Sequence, residues 1–187
     1  MDVTIVVGTY GHRRWIDLAH ERAIPSAVRQ DVPVIFRHED TLCDARNAGI
    51  RAARTDWVIV LDADDELSDG YVQALAGGTS DIRVPSLVEV DSDGSQMQIP
   101  LADRDIEQTN PIPVSAMARR HQILAAGGFQ PWPAWEDWAL WLTLVRRGST
   151  FEHIPRAQLL AHVSPGSRNR SVDDPARLHA AIRKASL

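Results

Sequence analysis

The stretch WVIVLDADDEL, residues 57–67, decides how the rest of the chain is interpreted. Its first five residues are apolar, and four of the next five are acidic: Asp62, Asp64, Asp65 and Glu66. A continuous apolar run of this length is typical of a strand that is buried on both faces of a parallel sheet. We therefore predict a buried strand that delivers carboxylates to the rim of a sheet.

The acids divide into two sets. Strand side chains alternate between faces, so Asp62 and Asp64 are expected on one side and Asp65 on the other. Two carboxylates on one side can share a divalent cation. In the alternative interpretation the acids only favour the N-terminus of a following helix. That explains Asp65 and Glu66, which we assign to the helix start, but not Asp62 and Asp64, for which the pattern favours metal or ligand binding.

Length and composition indicate a single domain that belongs to the soluble globular class, with 187 residues, 44% of them apolar and 24% charged. No apolar stretch approaches the about 20 residues that cross a bilayer, and the N-terminus lacks a leader pattern, so a cytoplasmic location is expected. Cys43 is the only cysteine, which excludes an internal disulfide and a cysteine-based zinc site. The net charge of −5 argues against a protein that mainly coats nucleic acid.

Three apolar runs, each separated from the next by a helical pattern, predict a doubly wound parallel sheet. We expect the strands at residues 3–7, 32–36 and 57–61, and the intervening helices at about residues 15–29 and 44–54. Ligands of such sheets lie beyond the carboxyl ends of the strands. Polar residues follow all three predicted ends: Thr9 and Tyr10, then His38, Glu39 and Asp40, then Asp62 and Asp64.

The second half of the chain is less regular. A helix is predicted at about 68–75, a strand at 82–90, a long loop or short hairpin at 91–113, and a short strand at 114–117. Two helices at 119–126 and 137–147, a strand at 158–162 and a helix at 175–185 complete the pattern. Trp138 and Trp141 fall at helical spacing and are expected in the core. Trp135 lies in a Pro-rich loop, where stacking on a sugar and packing are both open.

Glu136 and Asp137 begin one of these helices. They favour a helix N-terminus by charge alone, but the flanking tryptophans can desolvate a carboxylate and so tune it as a general base. His162 follows the last strand, and together with aspartates it can hold a divalent ion. Oxygen-rich ligation favours Mg or Mn over zinc.

Four stretches resemble the family 2 glycosyltransferases: TIVVGTYGH (4–12), DARNAGIRAA (44–53), VIVLDADDEL (58–67) and GGF followed by WEDWALWLTLVRRG (127–148). The resemblance implies the GT-A fold, an α/β architecture with a Rossmann-like, mostly parallel sheet flanked by helices. It also implies one domain over residues 1–187, in which residues 1–90 bind the nucleotide sugar, and residues 91–187 bind the acceptor and carry the C-terminal loop.

The function implied is transfer of a sugar, with inversion, from a nucleoside diphosphate sugar to an acceptor hydroxyl with Mn or Mg as cofactor; a UDP-sugar is favoured. By this resemblance Asp137 is the general base, Glu136 orients the acceptor or donor, and Asp64 binds the metal, with His162 as a further ligand. The remaining substrate-binding residues would be Thr9, Tyr10, Arg13, Glu39, Asp40, Arg46, Asp62, Ala63 and Trp135.

The sequence departs from the family in three places. One is length, since the chain is short for this family and carries no appended membrane helices. The segment HEDTLCDARN (38–47) is shorter than usual, which leaves the base-recognising residue open. Ser164 occupies a position where relatives carry histidine, and His162 comes two residues earlier; the spacing preserves the facing on an extended segment. A core or surface histidine is the alternative for His162.

Two other functions are compatible with acids at a strand end. A nucleotidyltransferase would need a glycine-rich, basic phosphate loop after the first strand, and GTYGHRR (8–14) is only a faint version of one. A non-catalytic nucleotide-sugar-binding module would not need Asp62, Asp64 and Asp137 together.

Overall fold

The computed structural model describes residues 2–163 and 172–186, and within these ranges eight strands form one sheet. The strands are β1 (Val3–Tyr10), β2 (Val34–Glu39), β3 (Trp57–Asp62), β4 (Glu66–Leu67), β5 (Ile82–Val90), β6 (Gln96–Ile99), β7 (Met117–Arg119) and β8 (Phe151–His162). The order of strands in the sheet is β2-β1-β3-β7-β5-β8-β4, and β6 pairs with β5.

The helices cover both faces of this sheet. After β1, α1 (Arg14–Leu18) and α2 (Ile24–Val28) are joined without a break by a π-helical turn (Ala19–Ala23). The others are α3 (Leu42–Ala52), α4 (Tyr71–Ala76), α5 (Arg120–Ala125), α6 (Glu136–Arg146) and α7 (Pro175–Ala185). Among the described residues, no helix combines the length and apolar character that a membrane span requires.

The predicted α/β class and mostly parallel sheet are confirmed. β1 lies between β2 and β3 and runs parallel to both, and β5 runs parallel to β8. These three pairings contain most of the paired residues, while the shorter strands β4, β6 and β7 pair antiparallel to their neighbours.

The apolar runs of the first half are continuous because both faces of these strands are buried. Along β1, Val3, Ile5 and Val7 pack into a core with α4 and the helical stretch after β1. Val6 points to the other face, into a core that includes Trp138 and Trp141. Both tryptophans are buried in this core, which confirms their predicted core role. Burial of each such side chain contributes about 1.5–3 kcal/mol.

The assignment of Asp65 and Glu66 to a helix start was wrong. β3 ends at Asp62, and the Asp65 N–H donates to the Asp62 carbonyl over 3.2 Å in a turn. Glu66 then lies in β4, which pairs antiparallel with β8, and α4 begins only at Tyr71. Because the chain turns after Asp62, strand alternation does not fix the direction of the Asp64 side chain.

Two strands of the second half also differ from expectation. β8 begins at Phe151 instead of residue 158. Proline is unfavourable inside a strand, so Pro155 argues against a strand here in the sequence. In the structure Pro155 is accommodated beside an irregularity in the β5–β8 pairing. β7 covers Met117–Arg119 rather than residues 114–117. The segment after β5 does form a short hairpin, since β6 pairs with β5.

Candidate active site

The carboxyl ends of the first three strands lie side by side. In the register of the sheet Gly8 is opposite Asp62, Thr9 is opposite His38, and Tyr10 is opposite Glu39. The Thr9 hydroxyl lies 2.9 Å from His38 Nδ1. The three polar segments picked out in the sequence therefore share one edge of the sheet.

Arg46 connects this edge to the second half of the chain. It is only 1% exposed, and its Nη2 donates to Asp62 Oδ1 over 2.6 Å while Nη1 donates to Glu136 Oε1 over 2.7 Å. Its guanidinium also lies 5.0 Å from the centre of the Phe129 ring. Burial on its own lowers the pKa of Arg46, but Asp62 and Glu136 raise it above its ordinary value. Arg46 is therefore a permanently charged bridge between two acids.

Glycines allow α3 to carry Arg46 this close to β1. A Cβ atom on Gly8 would lie 3.3 Å from Arg46 Cγ, and one on Gly49 would overlap the Val6 side chain. The small residues of the DARNAGIRAA stretch thus place the arginine directly against the carboxyl end of β1.

Asn47, the next residue of α3, holds the GGF turn. Its Nδ2 donates to the Phe129 carbonyl over 2.9 Å, and its Oδ1 accepts from the Phe129 N–H over 2.8 Å. Gly128 has φ +74°, and a Cβ atom there would overlap Asn47 Oδ1. This contact fixes the segment that leads into α6 beside Arg46.

Asp137 lies in the first turn of α6, after Trp135 in a left-handed conformation (φ 55°). Its Oδ1 accepts from the Trp138 N–H over 2.8 Å, and its Oδ2 accepts from Asn110 Nδ2 over 2.9 Å. Burial and the neighbouring Glu136 raise the pKa of Asp137 to about 6, although Arg46 opposes the shift. A carboxylate with this pKa is ionised at neutral pH and still able to accept a proton.

Asp62 and Asp137 line one cleft with a volume of about 400 Å³. Of the substrate-binding and catalytic residues predicted from the sequence, five line it: Arg46, Asp62, Trp135, Glu136 and Asp137. The other predicted substrate-binding residues lie outside its lining, as do both predicted metal ligands: Thr9, Tyr10, Arg13, Glu39, Asp40 and Ala63, and then Asp64 and His162. Arg13 is largely exposed and pairs with Asp17 over 3.7 Å.

A second group of acids lies at the turn after β3. Burial and Asp62 raise the pKa of Asp64, with Arg22 and His162 opposing, and burial and Asp64 raise the pKa of Asp65 well above its ordinary value. The His162 N–H donates to Asp65 Oδ1 over 3.3 Å, and the His162 ring Nε2 lies 3.0 Å from Glu66 Oε1. In this arrangement the imidazole is engaged by Glu66.

The carboxylate oxygens of Asp62 and Asp64 are donors of the kind that hard divalent cations prefer. Because burial and mutual repulsion make a second charge costly beside Asp62, an added cation would stabilise the ionised form of Asp64. No three His, Cys, Asp or Glu side chains in residues 2–163 and 172–186 are grouped to hold an ion. An ion here would need further oxygen ligands from a bound molecule.

Sequence reasoning missed three site residues. Asn110 contacts Asp137, Asn47 holds the GGF turn, and His179 of α7 packs edge-on to Trp135 and Trp138, with ring centres 4.3 and 4.9 Å apart. Asn47 lies inside a stretch already singled out, DARNAGIRAA. Asn110 and His179 lie in segments without a motif, and only their place in the fold identifies them.

Comparisons with known proteins agree with this fold. Residues 21–94 match the model of the family "Glycosyl transferase family 2", and no protein of curated function matches the chain. The crystal structure of Staphylococcus aureus TarS residues 1–349 in complex with UDP-GlcNAc superposes with a TM-score of 0.70 at 13% identity. That match covers 97% of this chain, which spans 64% of the TarS chain.

A second solved structure, GalNAc-T7 with UDP, GalNAc and Mn²⁺, superposes with a TM-score of 0.53 at 13% identity, covering 86% of this chain and 44% of that one. At this identity the likeness shows the fold, whereas the match over residues 21–94 concerns the sequence itself. The match over residues 21–94 contains two of the four stretches that resemble family 2 glycosyltransferases and supports that resemblance, and the fold of the chain is GT-A.

Proposed function

We propose that this domain transfers a sugar from a nucleoside diphosphate sugar, with a UDP-sugar favoured, to an acceptor hydroxyl with inversion at the anomeric carbon. One observation carries the proposal. Asp137, a desolvated carboxylate whose pKa is about 6, lines the same cleft as Asp62 at the carboxyl end of β3. A base and a strand-end ligand site in one cleft are what a transfer between two bound substrates requires.

The donor side is supported by the strand ends and by the comparisons. Ligands of parallel sheets lie beyond the carboxyl ends of the strands, where Tyr10, Glu39 and Asp62 meet. TarS was crystallised with UDP-GlcNAc and with UDP, and GalNAc-T7 with UDP. A uridine diphosphate sugar is therefore the first donor to test.

Asp137 would accept the proton of the acceptor hydroxyl as its oxygen bonds to the anomeric carbon. The bond from that carbon to the diphosphate breaks at the same time, and the nucleoside diphosphate leaves with the electron pair. Attack opposite the leaving group inverts the configuration. Arg46 would hold Glu136 and Asp62 in place on the two sides of the cleft, since it donates to both. Asp64 and His162 would hold a Mn²⁺ or Mg²⁺ ion, which would supply positive charge to the diphosphate.

The test is UDP release from a panel of UDP-sugars with Mn²⁺, first with water as the acceptor and then with pooled hydroxyl compounds. We expect Asp137→Asn to lower turnover at least a hundredfold while the thermal shift caused by UDP stays within a degree of the wild type. The free sugar released by hydrolysis should carry the anomeric configuration opposite to that of the donor by NMR.

Two results would contradict this function. Full turnover in the Asp137→Asn variant would reject the base, and retention of configuration would reject inversion. Pyrophosphate release from a nucleoside triphosphate and a sugar phosphate would point instead to nucleotidyl transfer.

A further inference from the structure

Asn110 is a side chain that the proposed reaction does not yet use. It lies in the segment between β6 and β7, 27 positions before Asp137, and its Nδ2 donates to Asp137 Oδ2 over 2.9 Å. Since the Trp138 N–H donates to Oδ1, each oxygen of the Asp137 carboxylate receives one hydrogen bond. Two donors on opposite oxygens prevent rotation of the carboxylate about its last bond.

The orientation of the Asn110 amide is fixed by its own contacts. Asn110 Oδ1 accepts from the Ile112 N–H over 3.0 Å, so the NH₂ group is the end that faces Asp137. The Asn110 backbone carbonyl accepts from Arg104 Nη1 over 3.3 Å, which holds the main chain at this position. The side-chain amide is thus held at Oδ1 by the Ile112 N–H and presents its NH₂ group to the carboxylate.

The segment that carries Asn110 is anchored to the rest of the structure. Residues 111–116 are all buried, and they include Pro111 and Pro113. The Tyr71 hydroxyl donates to the Ser115 carbonyl over 2.8 Å, and Trp138 Nε1 donates to the Ile106 carbonyl over 2.8 Å. Both ends of the segment are thus tied to the rest of the domain. A side chain that positions another within a fraction of an ångström needs such support.

The chemical effect of this donor opposes that of burial. Burial and Glu136 disfavour the ionised form of Asp137, whereas a hydrogen bond from a neutral amide favours it. A neutral donor leaves the carboxylate able to accept a proton, whereas a salt bridge to the same oxygen would make it a weaker base.

We propose that Asn110 is a positioning residue for this reaction, which orients the Asp137 carboxylate in the cleft and keeps it ionised through the hydrogen bond to Oδ2. The inference rests on the proposed role of Asp137 as the base. Its test therefore needs one readout that depends on activity and one that does not.

Asn110→Asp is the sharpest variant, because it keeps the size of the side chain and the acceptor for the Ile112 N–H but replaces the donor with a carboxylate. A like charge next to Asp137 raises its pKa. We expect the acidic limb of kcat/KM for UDP release to move to higher pH, and kcat at pH 7 to fall about tenfold with KM for the donor unchanged. Gln108→Asp adds the same charge two positions earlier, on an exposed residue, and should leave the profile unchanged.

The activity-independent readout is the titration of aspartate carboxyl carbons by ¹³C NMR, with the Asp137 signal assigned as the one missing in Asp137→Asn. A higher titration midpoint in Asn110→Asp but not in Gln108→Asp supports the contact. An unchanged midpoint together with unchanged kcat overturns the proposal. A shifted midpoint with an unmoved activity profile keeps the contact but rejects Asp137 as the base, so the two failures are distinguishable.

The double variant Asn110→Asp/Asp137→Asn exchanges donor and acceptor. It should recover the melting temperature lost in Asn110→Asp at pH 8, because the hydrogen bond is restored in the opposite direction, while UDP release stays at the level of Asp137→Asn. Failure to recover stability would show that the two side chains do not interact and would overturn the proposal.

Discussion

Arg46 is the residue on which both acidic sides of the cleft depend. Glu136 is 3% exposed, and a carboxylate buried to this degree is unfavourable unless a cation is paired with it. Arg46 supplies the cation over 2.7 Å and holds Asp62 with its second nitrogen over 2.6 Å. The same contact therefore serves stability and the geometry of the cleft.

Arg46→Met should destabilise the domain by about 3–5 kcal/mol, because it leaves Glu136 buried without this partner. Urea unfolding at pH 7 measures the loss. Arg51→Met, an exposed arginine of the same helix, is the control and should change the free energy of unfolding by less than about 0.5 kcal/mol. Adding Glu136→Gln to Arg46→Met should restore part of the stability. An equal loss in Arg46→Met and Arg51→Met would mean that the ion pair of Arg46 and Glu136 contributes nothing to the free energy of unfolding.

The raised pKa of Asp137 predicts how the stability of the protein depends on pH. Its folded pKa of about 6 lies above the ordinary aspartate value of 3.8, so the folded state binds more protons than the unfolded state between these two pH values. Its contribution to stability is therefore present below pH 4 and is lost as pH rises through 6. Asp137→Asn removes this dependence.

The melting temperature of Asp137→Asn minus that of the wild type should therefore increase between pH 4 and pH 8. The hydrogen bond that asparagine cannot accept shifts this difference by a constant and does not affect its slope. Asp91→Asn, at an exposed loop position, is the control for the loss of one carboxylate. A flat difference for Asp137→Asn would contradict the raised pKa.

At the scale of elements, the packing of α3 against its neighbours decides where the chemistry lies. Gly8 and Gly49 admit the helix to β1, and Asn47 fastens it to the GGF turn that precedes α6. One helix thus sets the distance between the first-half strands and the acids of the second half.

Gly128→Ala should therefore be strongly destabilising, since φ is +74° and the new Cβ would overlap Asn47 Oδ1. Gly127→Ala is the matched control: its φ of +88° is equally unfavourable for alanine, but its Cβ would meet nothing closer than Gln130 Nε2 at 3.5 Å. We expect Gly128→Ala to cost at least about 1 kcal/mol more in urea unfolding and to lower UDP release. Equal losses would show that backbone strain alone accounts for both.

The sequence predicted the elements whose patterns are local. The buried strands, the helix that starts at Glu136 and the convergence of strand ends follow from periodicity and from the apolar run before Asp62. β4 was not predictable, because Glu66 and Leu67 are ordered by pairing with Leu160 and Leu159 of β8, far along the chain. Acids after a strand fit a helix N-terminus equally well until that partner strand is known.

At the scale of the whole molecule, the cleft is assembled from residues that are distant in sequence. The roles of Asp62 and Asp137 could be inferred because both lie in stretches with a family pattern. Asn110 and His179 contact Asp137 and Trp135 only through the fold, and no motif marks them. The sequence thus marks the residues proposed to react more clearly than the side chains that contact them.

The same assembly bears on metal binding. The described residues do not offer three grouped ligands, yet burial and Asp62 raise the pKa of Asp64, which a divalent cation would relieve. Mg²⁺ and similar ions are often held by one or two carboxylates together with substrate phosphates. Metal and nucleoside diphosphate should therefore bind cooperatively.

We expect Mn²⁺ alone, at about 1 mM, to raise the melting temperature by about a degree or less. Mn²⁺ together with UDP should raise it by more than the sum of the shifts that each causes alone. Asp64→Asn should abolish this excess and leave the shift with UDP alone unchanged, because it removes the proposed ligand of the ion and Asp64 has no proposed contact to the nucleoside. Asp69→Asn is the matched control, since the Asp69 side chain is 89% exposed and pairs only with Arg29 among the described residues. Additive shifts in the wild type, or an excess that survives in Asp64→Asn, would place the cation elsewhere or remove it from the site.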